Sequence, residues 1–181
     1  MEENKEENLH SEEGQEQPQE LVIDQAKLDR YIQMRKSQEN FPLAVIAGLI
    51  AAVAAAIGWA AITVLTGYQI VYLALVVGFI VGMAIRVLGK GMGMKFAILG
   101  AVMALFGSLL GNYLTIVGLL SDQSGVGFFQ VFSQFGLTDV VDIMTETFGF
   151  FDIIIYGLAT YAGFSCAADE LDEEEIIEHA T

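Results

Sequence analysis

Between Leu43 and Arg86 the chain carries no charged residue, and that stretch constrains everything around it. An uncharged apolar run of this length holds about two helical crossings of a hydrocarbon core ~30 Å thick. A water-soluble fold would have to bury it inside a large polar shell. No such shell exists: only 17% of the 181 residues are charged and 54% are hydrophobic, where a soluble domain carries about a quarter of its residues as charges. The chain therefore reads as an all-α membrane protein, a four-transmembrane-helix bundle with short interfacial helices and acidic tails. There is no room for a large aqueous catalytic domain.

The acids gather at the two ends. Glu2, Glu3, Glu6, Glu7, Glu12, Glu13, Glu16 and Glu20 crowd residues 1–20, which lack the basic start and apolar core of a secretory signal. So little apolar surface cannot offset chain entropy, and 1–20 is expected to be a disordered tail. Residues 169–181, with Asp169, Glu170, Asp172 and Glu173 to Glu175, form a second acidic tail. From Leu21 the pattern changes: Leu21, Leu28, Tyr31 and Ile32 recur near helical spacing, so 21–41 is expected to hold an amphipathic juxtamembrane helix. Asn40-Phe41-Pro42 punctuates the chain before the membrane domain at 42–168, with Pro42 suited to a first helical turn.

Four spans are expected, at about 43–65, 68–88, 95–120 and 149–168. Their orientation follows from the cations, since Lys and Arg flanking membrane helices stay on the cytoplasmic side. Lys5, Lys27, Arg30, Arg35 and Lys36 precede span one; Arg86, Lys90 and Lys95 surround the second connection. The first and third connections carry none, so both termini are expected in the cytoplasm. A net charge of −15 offers phosphates no basic patch, which argues against nucleic-acid partners. The single cysteine, Cys166, cannot form an intramolecular disulfide; it reads as a small buried hydrophobe, with acylation as the alternative.

Helices in lipid associate through close backbone approach rather than hydrophobic burial, so small residues at intervals of four mark contact faces. Ala74, Gly78 and Gly82 form one such row in span two. Gly100, Ala104 and Ser108, and Gly107 with Gly111, form rows in span three, and Gly157 and Gly163 lie in span four. Leucine at Gly78 or Gly82 is expected to disrupt packing far more than Val77→Leu. Glycines that unwind a helix to bare carbonyls to an ion are the sharper alternative. The run Gly78, Gly82, Arg86, Gly89-Lys90-Gly91, Gly100 and Gly111-Asn112-Tyr113-Leu114 resembles a stretch found in uncharacterised bacterial multi-spanning inner-membrane proteins. The resemblance covers about a third of the chain and implies a bacterial inner membrane, with no activity attached.

Three polar residues stand as candidates for a pathway or a pairing: Arg86, Asn112 and Asp152. Arg86, one turn inside the cytoplasmic end of span two, can pair with an anion or extend its head group to water. Asp152 lies beside Ile153-Ile154-Ile155, where a carboxylate deep in lipid costs ~2.5–3.5 kcal/mol. Asp152, Tyr156 and Thr160 lie at intervals of four, and Asn112 and Tyr113 fall at a comparable depth, so a polar cluster is possible. A simpler account has Asp152 capping span four. Gly89-Lys90-Gly91 fails as a phosphate loop, since no Ser or Thr follows the lysine and no strand precedes it.

The connection 121–148 suits two short helices, one holding Phe128, Phe132 and Phe135 and a second capped by Thr138. Asp139, Asp142 and Glu146 share a face of the second; they form either a solvated acidic surface or a site for a hard cation. No metal-ligand set, cofactor motif or paired nucleophile and base emerges. The leading expectation is a non-enzymatic anchor or subunit, in the lipid bilayer, that partners a second copy or another membrane protein. A small oligomeric transporter or channel is the alternative.

Overall fold

The computed structural model describes residues 24–68, 70, 72–134, 136–147 and 149–168. They form seven α-helices and, among the described residues, no strand. The expected tails, 1–20 and 169–181, lie outside the described residues. Residues 32–168 belong to one compact unit, which holds α2 to α7 below, and residues 24–31 belong to a second.

Helix α1 (Gln25–Ser37) starts where the Asp24 carboxylate accepts the N–H groups of Ala26 at 2.9 Å and Lys27 at 3.4 Å. It ends on Arg35 and Lys36, cations that suit the negative end of a helix. Helix α2 (Phe41–Thr66) is capped by Asn40, whose side chain accepts the Leu43 N–H at 3.0 Å. Pro42 occupies the first turn, where its missing N–H costs nothing. The helix stops at Gly67, whose φ of 68° is left-handed and whose N–H reaches Thr63 O.

Helix α3 (Leu73–Gly89) begins later than the expected 68. Helix α4 (Met94–Ser124) runs beyond the expected 120; at roughly 46 Å it is longer than the hydrocarbon core. Two short helices, α5 (Phe128–Gln134) and α6 (Leu137–Thr147), precede α7 (Phe150–Ala167). Helix α6 starts one residue before the expected Thr138 cap, and its Asp139 carboxylate accepts the Gly136 N–H at 2.9 Å. Three helices, α2, α4 and α7, are long and apolar enough to cross a membrane, and α3 is a shorter apolar helix.

Helices α3 and α4 pack on each other and on both flanking helices, α2 and α7, which do not meet among the described residues. Close contacts fix the directions. Gly89 faces Ala44 and Gly48 faces Ile85, so α2 and α3 run oppositely; Gly107 faces Ala52 and Gly111 faces Trp59, so α2 and α4 run together. Gly78 abuts Ala159 and Gly82 abuts Gly163 and Cys166, making α3 and α7 parallel.

The distribution of side-chain size is inverted relative to a water-soluble bundle. Ala44, Ala52, Ala56, Ala74, Ala104, Ala159 and Ala167 are fully buried, whereas Ile50, Ile57, Phe79, Val87, Ile98, Val102 and Ile153 lie more than half exposed. Small residues let backbones approach, and the large ones face outward. The pattern is compatible with a lipid surrounding, which would give leucine no reason to turn inward.

Candidate functional site

The glycine rows form interlocked backbone contacts. A Cβ added at Gly78 would collide with the Ala159 carbonyl oxygen, and one at Gly100 with the Gly163 carbonyl oxygen. At Gly82 it would come 2.7 Å from Cys166 Cβ; at Gly107, 2.9 Å from Val77 Cγ1; at Gly111, 2.7 Å from the Trp59 ring. Ala74 is fully buried in the same row. Val77, expected to tolerate enlargement, is itself only 2% exposed. The four-residue row marked one contact face of α3, but α3 packs on three helices, and Val77 fills the seam with α4.

The expected polar residues separate into two places. The Asn112 amide of α4 donates to the Tyr156 hydroxyl of α7 at 2.7 Å, joining two helices side chain to side chain. Asp152, one turn before Tyr156, accepts the Gly149 N–H at 2.8 Å, and its own N–H donates to Gly149 O at 3.1 Å. Its carboxylate therefore closes the first turn of α7, where the helix dipole favours a negative charge. Arg86 lies elsewhere. It is half-buried in the last turn of α3, two turns beyond the Gly78–Ala159 contact in the direction opposite to Asp152, hence roughly 20 Å from it along the bundle. Arg86 and Asp152 do not meet.

Two features escape a reading of the sequence. The first is a clasp at the end where α2 begins. Glu39 Oε1 accepts the Met92 N–H at 3.1 Å, Glu39 Oε2 pairs with Lys95, and the Asn40 N–H donates to Gly89 O at 2.9 Å. Phe41 packs edge-on to Phe96 at 5.6 Å between centroids, and Lys95 lies 5.1 Å above the Phe96 ring. Partial burial of Glu39, whose side chain is 10% exposed, opposes its ionisation. The Lys95 and Met92 hydrogen bonds, with the charges of Lys95 and Lys36, outweigh that and lower its pKa below the ordinary glutamate value. The second feature is inside α2. Trp59 Nε1 and Thr63 Oγ1, one turn apart and 5% and 1% exposed, are buried with no hydrogen-bond partner. Two polar groups at i and i+4 in an otherwise apolar helix were the available signal.

Asp139, Asp142 and Glu146 do not assemble a cation site; among the described residues no three His, Cys, Asp or Glu side chains gather to hold a metal ion. Comparison with known proteins gave no matching family model, no matching curated protein and no matching solved structure, so the site rests on its own geometry.

Proposed function

We propose that the chain is a four-span integral membrane protein that acts without catalysis, as an anchor or subunit of a larger membrane complex. One observation carries this reading: an interior of interlocked Gly and Ala under an exterior of large aliphatic and aromatic residues. Helix α3, of 17 residues, meets the lower limit of about 17 for a crossing. The alternating directions of α2, α3, α4 and α7 agree with four successive crossings. The clasp, with Lys95 and Lys90, then lies on the cytoplasmic side with both ends of the chain. The resemblance of the 78–114 stretch favours a bacterial inner membrane. The acidic ends supply partners with a charged surface, and the outward apolar faces accept a second copy or another membrane helix.

Purification at native expression level in mild detergent tests the proposal: a stoichiometric membrane-protein partner or a defined homo-oligomer supports it, and a lone monomer with solute flux contradicts it. A transporter is the second reading, and Trp59 Nε1 with Thr63 Oγ1 favours it, because unpartnered polar groups inside a bundle are costly unless used. Reconstituted liposomes distinguish the two. On the transporter reading Thr63→Val stabilises the fold by about 1 kcal/mol and abolishes flux; on the anchor reading it stabilises the fold and partner binding persists.

A further inference from the structure

A groove of about 650 Å³ lies between α2, α4 and α5, within the ~300–1,000 Å³ of pockets that bind organic ligands. Its walls are apolar: Ile57, Ala61 and Val64 from α2, Leu110 and Leu114 from α4. Phe128 and Phe132 of α5 cover one side, and α5 is held there by two contacts. The Ser121 hydroxyl donates to Val126 O at 2.6 Å, fixing the turn before α5, and Phe132 packs edge-on to Tyr113 at 5.8 Å. From Leu110 to Asp122 the groove follows α4 for roughly 18 Å, close to the ~15 Å that one leaflet contributes to a hydrocarbon core.

The polar end is acidic. Ser121 and Asp122 close the groove at the last turns of α4, where the helix dipole disfavours an acid and attracts a cation. No Lys or Arg follows Lys95 in the sequence, so among the described residues α5 to α7 offer no Lys or Arg to neutralise Asp122 or accept an anionic headgroup. The matching ligand has an acyl chain for the walls and, at its head, a cation that can donate hydrogen bonds.

We propose that this groove is a binding site for a phospholipid with a primary-ammonium headgroup: one acyl chain lies along α4 under Phe128 and Phe132, and the ammonium group donates to the Asp122 carboxylate. A quaternary ammonium lacks the donor, and an anionic headgroup meets repulsion. The inference rests on the membrane reading above and extends it to a lipid class.

The test uses the full-length protein in mixed micelles with equimolar phosphatidylethanolamine, phosphatidylcholine and phosphatidylglycerol of identical acyl chains, with retained lipid counted by native mass spectrometry. One phosphatidylethanolamine should be retained at roughly tenfold over either other class, the scale of one charge-assisted hydrogen bond. Asp122→Asn, at an exposed position, should level the three classes; Ala61→Trp, which fills the groove, should lower retention of all three by about tenfold. Equal retention by the unaltered protein, a preference for phosphatidylglycerol, or a preference that survives Asp122→Asn overturns the proposal, as does a second copy or a peptide found in the groove. An alkaline carbonate wash separates the two failures. A chain released by the wash refutes the membrane reading and this site with it, whereas a chain retained in the membrane fraction that shows no lipid preference refutes the site alone.

Discussion

The two ends of the bundle are held by different chemistry. At the end where α2 begins, the ties join residues more than fifty positions apart: Glu39 to Met92 and Lys95, and Phe41 to Phe96. At the other end the Asn112–Tyr156 bond joins two helices, and local side-chain hydrogen bonds among the described residues include Ser121 to Val126, Gly136 to Asp139 and Gly149 to Asp152. Long-range ties lock helices to one another, while local ones only shape the turn they close. The clasped end is accordingly a fixed joint, and the opposite end retains a groove.

The largest test of that contrast bears on what both ends share, the interlocked centre. Gly78→Leu or Gly100→Leu should destabilise the fold by about 3 kcal/mol or more, because the obstacle is a backbone carbonyl that cannot rotate away. Val76→Leu, at an outward position 48% exposed, should be nearly neutral. Equal thermal unfolding of all three variants in detergent would remove the packing argument.

Glu39→Ala comes next, at about 1–2 kcal/mol, since the ion pair also carries a backbone hydrogen bond but Lys95 is 57% exposed and screened. Its pH dependence has a definite sign. The folded pKa lies below the ordinary value of 4.5, so the stabilisation is complete above that value and is lost as pH falls through the lowered one. Acid titration of unfolding should show this loss in the unaltered protein and not in Glu39→Gln.

Tyr156→Phe, which removes the long-range bond at the opposite end, should cost about 0.6 kcal/mol, measurable by the same unfolding assay. Asp152→Asn should cost about 0.3–1 kcal/mol, because the amide oxygen still accepts the Gly149 N–H. Loss of all partner binding or flux in a folded Asp152→Asn protein would give the carboxylate a role beyond capping. The smallest effect has the opposite sign. Lys90 is the single non-glycine residue with positive φ, 46°, among the described residues, and Lys90→Gly should stabilise the α3 C-terminus by about 0.5 kcal/mol.

How much of this was legible in the sequence depended on the range of the interaction. The helices were readable because apolar runs and the Asn40-Phe41-Pro42 punctuation act within a few residues. The contact rows at Gly78, Gly82, Gly107 and Gly111 were readable because four-residue spacing is a property of one helix. Asp152 as a cap was readable for the same reason. The Glu39–Lys95 clasp was not, since nothing local joins positions 39 and 95. The burial of Val77 escaped for a related reason: one row of small residues identifies one neighbour, and α3 has three. The separation of Arg86 from Asp152 follows from the expected topology too, which puts Arg86 at the cytoplasmic end of span two and Asp152 near the outer end of span four.

The central claim, that the clasped end and the grooved end lie on opposite sides of a membrane, is tested most directly by labelling single cysteines in a Cys166→Ala background. Ser37→Cys lies just before the clasp and Ser124→Cys at the end of α4, both exposed. A membrane-impermeant maleimide applied to intact cells should label Ser124→Cys and leave Ser37→Cys unlabelled until the membrane is permeabilised. Labelling of both from one side, or of Ser37→Cys alone, would contradict the account.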